Sequence, residues 1–199
     1  MRQTLMQKGL MPSQMLNEID GFMDKILNLC KQLSLDLSRH QADHIAMRIN
    51  DADVAKAAHQ EWLGYGQVIS EAIINGRPII VMQFEQPIVT KVGEIECLEL
   101  PYPAPNKSHP IEHWEHVEFV VPSQASTADD FLADLCTQFP ELSAKLACLD
   151  ENGIKMKLSS PHGEGERLAN PTVAFKHDGV CIKLHPHSLR NIVASEQSI

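Results

Sequence analysis

The chain has 199 residues, a formal net charge of −9, 43% hydrophobic and 22% charged residues. That is enough to bury a core without disulfide staples, in one domain or two small ones. The acidic balance, with no dense Lys/Arg block, argues against a nucleic-acid or anionic-membrane binder, and 10 Gly with 12 Pro are too few for a collagen-like or low-complexity chain.

Residues 1–12 read as a frayed leader. Ser13 is placed to cap one helix over 13–32, because Met15, Ile19, Phe22, Met23, Ile26, Leu27, Cys30 and Leu33 follow three-four spacing. The period then changes. In 44–49, Ile45, Met47 and Ile49 share one face, and His44, Ala46 and Arg48 share the other. Asp51 or Asp53 caps a short helix over 55–63. Apolar runs at 68–74 and 79–84 flank Asn75-Gly76, a strong hairpin signal. A further alternating strand, 94–100, ends at prolines 101, 103 and 105.

The second half repeats that order. Residues 116–121 alternate and stop at Pro122. Ser123 or Ser126 caps a helix through Ala128, Phe131, Leu132, Leu135 and Cys136. Strands follow at 154–158, 172–175 and 180–184, the last two joined across 176–179. A long loop spans 159–171, and 188–195 suits a short helix. The order βαβββ therefore occurs twice, over about 40–103 and about 112–187. The expected class is α+β, with 1–39 an N-terminal helical extension and 40–199 one domain of two modules.

Strand alternation brings chemistry to one face. His44 and His116 take equivalent positions, 72 residues apart. In the last strands, Cys97 and Glu99 oppose Leu98 and Leu100, while Cys181, Lys183 and His185 oppose Ile182 and Leu184. A face carrying His44, Glu99, His116, Glu118, Lys183 and His185 is either solvated, with ordinary surface pairs, or buried and in need of partners. Two neutral imidazoles and a carboxylate suit divalent Fe, Mn, Ni or Zn and leave positions open. Arg48 points with His44, to pair with Glu99 or to hold a substrate carboxylate bidentately. His40, His59, His109, His113, His162, His177 and His187 read as surface residues. The segment 161–167, PHGEGER, is Gly-rich but lacks the Lys-Ser/Thr of a phosphate loop, and reads as a cleft lid or a rigid connection.

Five cysteines, odd in number, widely spaced and without a CxxC pair, give no disulfide framework and no structural zinc site. The start, MRQTLMQKGLMPSQ, lacks the apolar region of a secretory signal, and no window approaches about 18 consecutive apolar residues. A cytoplasmic protein with no membrane partner is expected.

The double βαβββ order, with His on the first strand and an acid late on the fourth, resembles the vicinal oxygen chelate superfamily of glyoxalases and extradiol dioxygenases. More closely, ADHIAMRI, INGRPI, ECLELPYP, WEHVEFVVP, LSSPHGEGERLANPT, IKLHPHS and NIVASEQS resemble the YecM family of bacterial proteins over about 15–199. The superfamily resemblance implies a curved mixed-sheet cleft with helices outside, and metal ligands on the first and fourth strand of each module. Carried over, those positions are His44, Glu99, His116 and Lys183. Lys183 departs from the pattern, since an ammonium has no lone pair to give; it is expected to bind an anionic substrate or act as a base. Glu118 and His185 complete the shell or shuttle protons. The closer family resemblance supplies no reaction.

Two functions follow as expectations. One is a divalent-metal-dependent enzyme (isomerase, lyase or dioxygenase) acting on a small oxygen-rich or anionic substrate. The other is a metal-free small-ligand-binding protein using the same cleft. A partner-docking role for the N-terminal helix needs an uncovered apolar face, and that helix is expected to pack on the sheet instead. With both modules in one chain, a monomer is expected.

Overall fold

A computed structural model describes residues 1–74, 76–160 and 168–197. Three helices come first: α1 (Arg2–Lys8), α2 (Pro12–Asn17) and α3 (Ile19–Gln32). This corrects two expectations. Residues 1–12 are not a frayed leader, because Leu5 and Leu10 are fully buried. Gly9 ends α1 at φ 71°, with its N–H donating to the carbonyls of Leu5 and Met6. Nor is 13–32 one helix capped by Ser13. Pro12 opens α2 with its φ already helical, the Met11 N–H is satisfied by Gln14 Oε1, and α2 ends at Glu18 before α3 begins. Leu27 stays exposed, while Ile19, Phe22, Met23, Ile26, Leu29 and Cys30 form the buried stripe of α3.

The first module is β1 (Gln41–Arg48), α4 (Ala52–Trp62), β2 (Gly66–Ile74), β3 (Arg77–Thr90) and β4 (Gly93–Pro101). The second is β5 (His113–Val120), α5 (Ala128–Gln138), α6 (Leu142–Leu146), β6 (Lys155–Ser159), β7 (Thr172–His177) and β8 (Val180–His185); α7 (Leu189–Gln197) closes the described chain. Asp51 caps α4 by accepting from the Val54 N–H. Thr127, not Ser123 or Ser126, caps α5, accepting from the Asp130 N–H. Ser123 instead donates to Asp134. Helix α6 has no counterpart in the sequence reading, since five residues carry too short a period to register.

All eight strands form one curved sheet, in the order β2-β3-β4-β1-β5-β8-β7-β6. β1 runs parallel to β4, β5 runs parallel to β8, and β1 meets β5 antiparallel at the centre. The two modules are thus arranged alike about the β1–β5 seam. The Asn75-Gly76 hairpin forms, with Ile74 opposite Arg77 and Gly76 at φ 75°; Asn75 itself lies outside the described residues. In the second hairpin, Asp178 and Gly179 both have positive φ, at 46° and 78°, the pair a type I′ turn requires.

α3 packs on β3, β5 and β8, α4 on β4, and α5 on β6 and β7. Ile45, Met47, Val117, Phe119, Ile182 and Leu184 face that layer and share one apolar core with Leu5, Leu10 and the α3 stripe. Each such side chain contributes roughly 1.5–3 kcal/mol by leaving water. A one-residue slip would turn the whole set around, so the core fixes the register of the opposite face. Among the described residues no helix is long and apolar enough to cross a membrane.

Candidate metal centre

The core sets which side chains turn away from the helices. On β1 and β4 these are His44 and Glu99, with His44 opposite Cys97 and Ala46 opposite Glu99. On β5 and β8 they are His116, Glu118, Lys183 and His185, with His116 opposite Cys181 and Glu118 opposite Lys183. The second module thus puts Lys183 where the first puts Glu99. This face is not solvated: His44, His116 and His185 are each 1% exposed and Glu118 is 7% exposed. Glu99 and Lys183 are partly buried.

Two β-bulges complete the site, and alternation did not reveal them. In the β1–β5 ladder, Ala42 lies opposite Phe119 but His44 lies opposite Glu118, so Asp43 is an extra residue on β1. Further along, Ala46 lies opposite His116 but Met47 lies opposite Trp114, so Glu115 is extra on β5. Each bulge swings an acid onto the side of the histidine that follows it. Asp43 Oδ2 accepts from His44 Nδ1 at 3.0 Å, and Glu115 Oε2 accepts from His116 Nδ1 at 2.8 Å. Asp43 Oδ2 also accepts from the Leu189 N–H at the start of α7, at 2.8 Å. Nδ1 of each imidazole is thereby a donor, with Nε2 turned inward. Asp43 and Glu115 were not among the residues singled out from the sequence. The available signal was an acid-His pair standing in both modules, at 43–44 and 115–116.

The two Nε2 atoms converge on Glu118 Oε1, which lies 3.3 Å from His44 Nε2 and 3.1 Å from His116 Nε2. Glu99 Oε2 lies 3.5 Å from His44 Nε2. One donor atom from each of His44, Glu99, His116 and Glu118 lies within 4.8 Å of the others. Lys183 Nζ sits among them, donating to Glu118 Oε1 at 2.6 Å and to His116 Nε2 at 3.0 Å. Asp43, His44 and His185 form a second such group that shares His44. His185 Nδ1 accepts from Asn170 Nδ2 at 3.0 Å, which leaves the proton on Nε2, 3.7 Å from Asp43 Oδ2.

The charges hold one another. Burial alone would push His44 down, but the Glu118 charge, the Asp43 hydrogen bond and the facing Glu118 and Glu99 carboxylates outweigh it and set its pKa well above the ordinary value. Burial would raise Glu99, yet the facing His44 ring and the Lys183 charge bring it down to about 2. Glu118 is likewise held well below the carboxylate range against burial, chiefly by Lys183 and His44, and Lys183 is raised against burial by Glu118 and Glu99. His185 is lowered, first by burial, and stays neutral. Burial pushes the Cys97 and Cys181 thiols up to about 11 and about 12.

The donor set suits a divalent cation. Two oriented imidazoles and a carboxylate on three strands could serve as a facial triad, with Glu118 in reach of a fourth position. Two features oppose it: the Lys183 ammonium takes the His116 lone pair that a metal would need, and the raised pKa of His44 holds a proton that a metal would displace.

Of the two expectations for Arg48, pairing with Glu99 is corrected: it pairs with Glu115. His40, His59, His109, His113, His177 and His187 are all partly buried rather than on the open surface; His162 and the 161–167 segment lie outside the described residues. Cys30, Cys97 and Cys181 are buried, and all five cysteines are free.

Comparison with known proteins gives the chain a family. It is 34% identical to Protein YecM of Escherichia coli strain K12 over 187 residues, covering 92% of each chain. It is 33% identical to an uncharacterised protein of Haemophilus influenzae over 175 residues, covering 85% of this chain and 86% of the other. A solved structure described as structural genomics protein EC4020 matches with a TM-score of 0.77 at 32% identity, covering 93% of this chain and 92% of that one. The family model described as YecM protein matches residues 11–196, and the chain belongs to the YecM family.

Proposed function

We propose that the chain is a divalent-metal-dependent enzyme, a cytoplasmic monomer, with His44, Glu99 and His116 holding the metal. The observation that carries this reading is the pair of inward Nε2 atoms, each fixed by a carboxylate behind its own imidazole. Any buried histidine needs a partner, and metal-ligating histidines nearly always have one on the ring nitrogen that does not bind the metal. Divalent Fe, Mn, Ni or Zn suits the set. Bound there, the cation supplies Lewis acidity to two adjacent oxygens of a small oxygen-rich or anionic substrate.

The remaining residues handle protons and charge. His185, neutral and beside Asp43 and Glu118, passes its Nε2 proton along the cluster and takes one up on Nδ1 only when Asn170 gives up that lone pair. Glu118 and Lys183 are the charged pair of the site; the ammonium holds an anionic group, and the carboxylate, kept ionised by Lys183 and His44, completes the ligand shell. Isomerase, lyase and dioxygenase chemistry all draw on these parts.

One observation favours a metal-free ligand-binding protein instead: the Lys183 ammonium already sits between His116 and Glu118. Thermal shift separates the two. The enzyme reading expects added Mn, Fe, Ni or Zn to raise the melting temperature of chelator-treated wild type, and not that of a His44→Ala/His116→Ala variant. Equal responses of the two proteins would reject it. Stabilisation by small acids in chelator alone would support the metal-free reading.

A further inference from the structure

Arg48 ends β1 on the same face as His44, and its burial is nearly complete at 8% exposed. Glu115 takes one of its guanidinium nitrogens, Nη2. Nε and Nη1 are buried with no hydrogen-bond partner among the described residues. A buried guanidinium with two unused donor nitrogens is costly unless an acceptor arrives.

A second arginine lies two strands away, beyond β4. Arg77 opens β3, in step with Ile79 and Val81, and Val81 lies opposite Glu99. Nη1 of Arg77 donates to the Tyr102 carbonyl at 3.2 Å. Arg77 is lowered first by burial and then by the charge of Arg48, against the pull of Glu99 and Glu115. His109 is lowered first by burial and then by Arg48, with Lys176 and Arg77 adding to it against Glu115. The loop carrying His109 is pinned by two 2.8 Å bonds to the Asn50 side chain, just past β1. In a chain of net charge −9, this end of the sheet face gathers Arg48, Arg77 and His109 around the Glu115 carboxylate.

We propose that Arg48 and Arg77 form an oxyanion subsite that holds the far end of the substrate. Ala46 lies opposite both Glu99 and His116, and Arg48 is two residues further, about 7 Å along the strand. The substrate class is then a short acid with two adjacent oxygens at one end and a carboxylate or phosphate at the other. The planar fork of Arg48 fits that group bidentately. The inference rests on the metal-centre reading for the first end only.

The test uses calorimetry on the full chain with Mn²⁺ and with EDTA. The probes are 2-oxoglutarate, 2-oxopentanoate (same length, no remote carboxylate) and 2-oxo-4-phosphonobutanoate. Wild type is expected to prefer 2-oxoglutarate or the phosphonate to 2-oxopentanoate by at least about tenfold. The tighter of those two assigns the end group. Arg77→Gln and Arg48→Lys are expected to erase the preference while retaining 2-oxopentanoate binding and Mn²⁺ affinity within about twofold. Arg48→Lys keeps a cation beside Glu115, and Arg77→Gln leaves that pair untouched. Equal wild-type affinities, a preference surviving both variants, or no binding of either dianionic acid in any condition would overturn the subsite. Failure of Mn²⁺ to bind would sink the metal reading alone; the subsite then predicts that the preference survives in EDTA.

Discussion

Lys183 Nζ lies 3.0 Å from His116 Nε2, in the position that Glu99 takes in the other module. An ammonium only donates, so this contact requires a lone pair on Nε2 and a proton on Nδ1, in agreement with the Glu115 bond behind the ring. Lys183 is therefore an internal cation among acidic and imidazole donors. A divalent metal has to displace it from His116.

That relationship predicts opposite effects of one substitution. Lys183→Met is expected to raise Mn²⁺ affinity by about tenfold or more. The same change takes away the nearest charge partner of Glu118 and leaves it to His44 and His116, and is expected to destabilise the metal-free protein by roughly 2 kcal/mol. That is less than the 3–5 for a fully buried pair, because Lys183 is 27% exposed. Calorimetry and denaturant unfolding read the two effects. A fall in metal affinity would mean that Lys183 supports the metal rather than competing with it.

The acids on the bulges predict a positioning effect. Asp43→Asn and Glu115→Gln keep the size of each side chain but lose the charge behind the imidazole. Each is expected to weaken metal binding by roughly 10–100-fold, with the far-ultraviolet circular dichroism spectrum unchanged. Affinity equal to wild type in both variants would remove the two acids from the site.

The pH dependence of the metal-free protein follows from His44 and Glu99. The pKa of His44 is raised in the fold, so its contribution is fully present below the ordinary histidine value, about 6.5, and is lost as pH rises through the raised value. Glu99 is depressed to about 2, so its contribution is present above the ordinary carboxylate range and is lost as pH falls through that range towards 2. The neutral His185 adds no slope above about 6.5. Between about pH 6.5 and 8, wild-type stability is therefore expected to fall relative to His44→Gln. Parallel pH profiles of melting temperature in chelator would refute this.

The N-terminal segment is part of the core. Leu5 is fully buried and joins the cluster that backs the sheet. Leu5→Ala is expected to cost about 2–5 kcal/mol, measured by urea unfolding. A frayed leader would give a change within about 0.5 kcal/mol.

Alternation made the central strands legible. Ile45, Met47, Val117 and Phe119 had to share the helix side, so His44, Glu99, His116, Glu118 and Lys183 had to share the other, and they converge there. What alternation cannot show is a residue that breaks it. Asp43 and Glu115 sit on bulges, where period two fails by one step. Helix breaks set by backbone chemistry were missed in the same way. Pro12 and Glu18 split a stripe whose three-four spacing runs on across the break, and α1 buries Leu5 and Leu10 without a long periodic pattern. The subsite nitrogens of Arg48 depend on what its neighbours leave unpaired, a property of three-dimensional packing and not of strand order.

The central claim is that His44, Glu99 and His116 hold a divalent metal. Element-resolved metal analysis of untagged protein, loaded with Fe, Mn, Ni or Zn and then desalted, tests it most directly. Wild type is expected to retain about one equivalent of one of these metals, and the His44→Ala/His116→Ala variant almost none. The same negligible content in both proteins, with every metal offered, would contradict it.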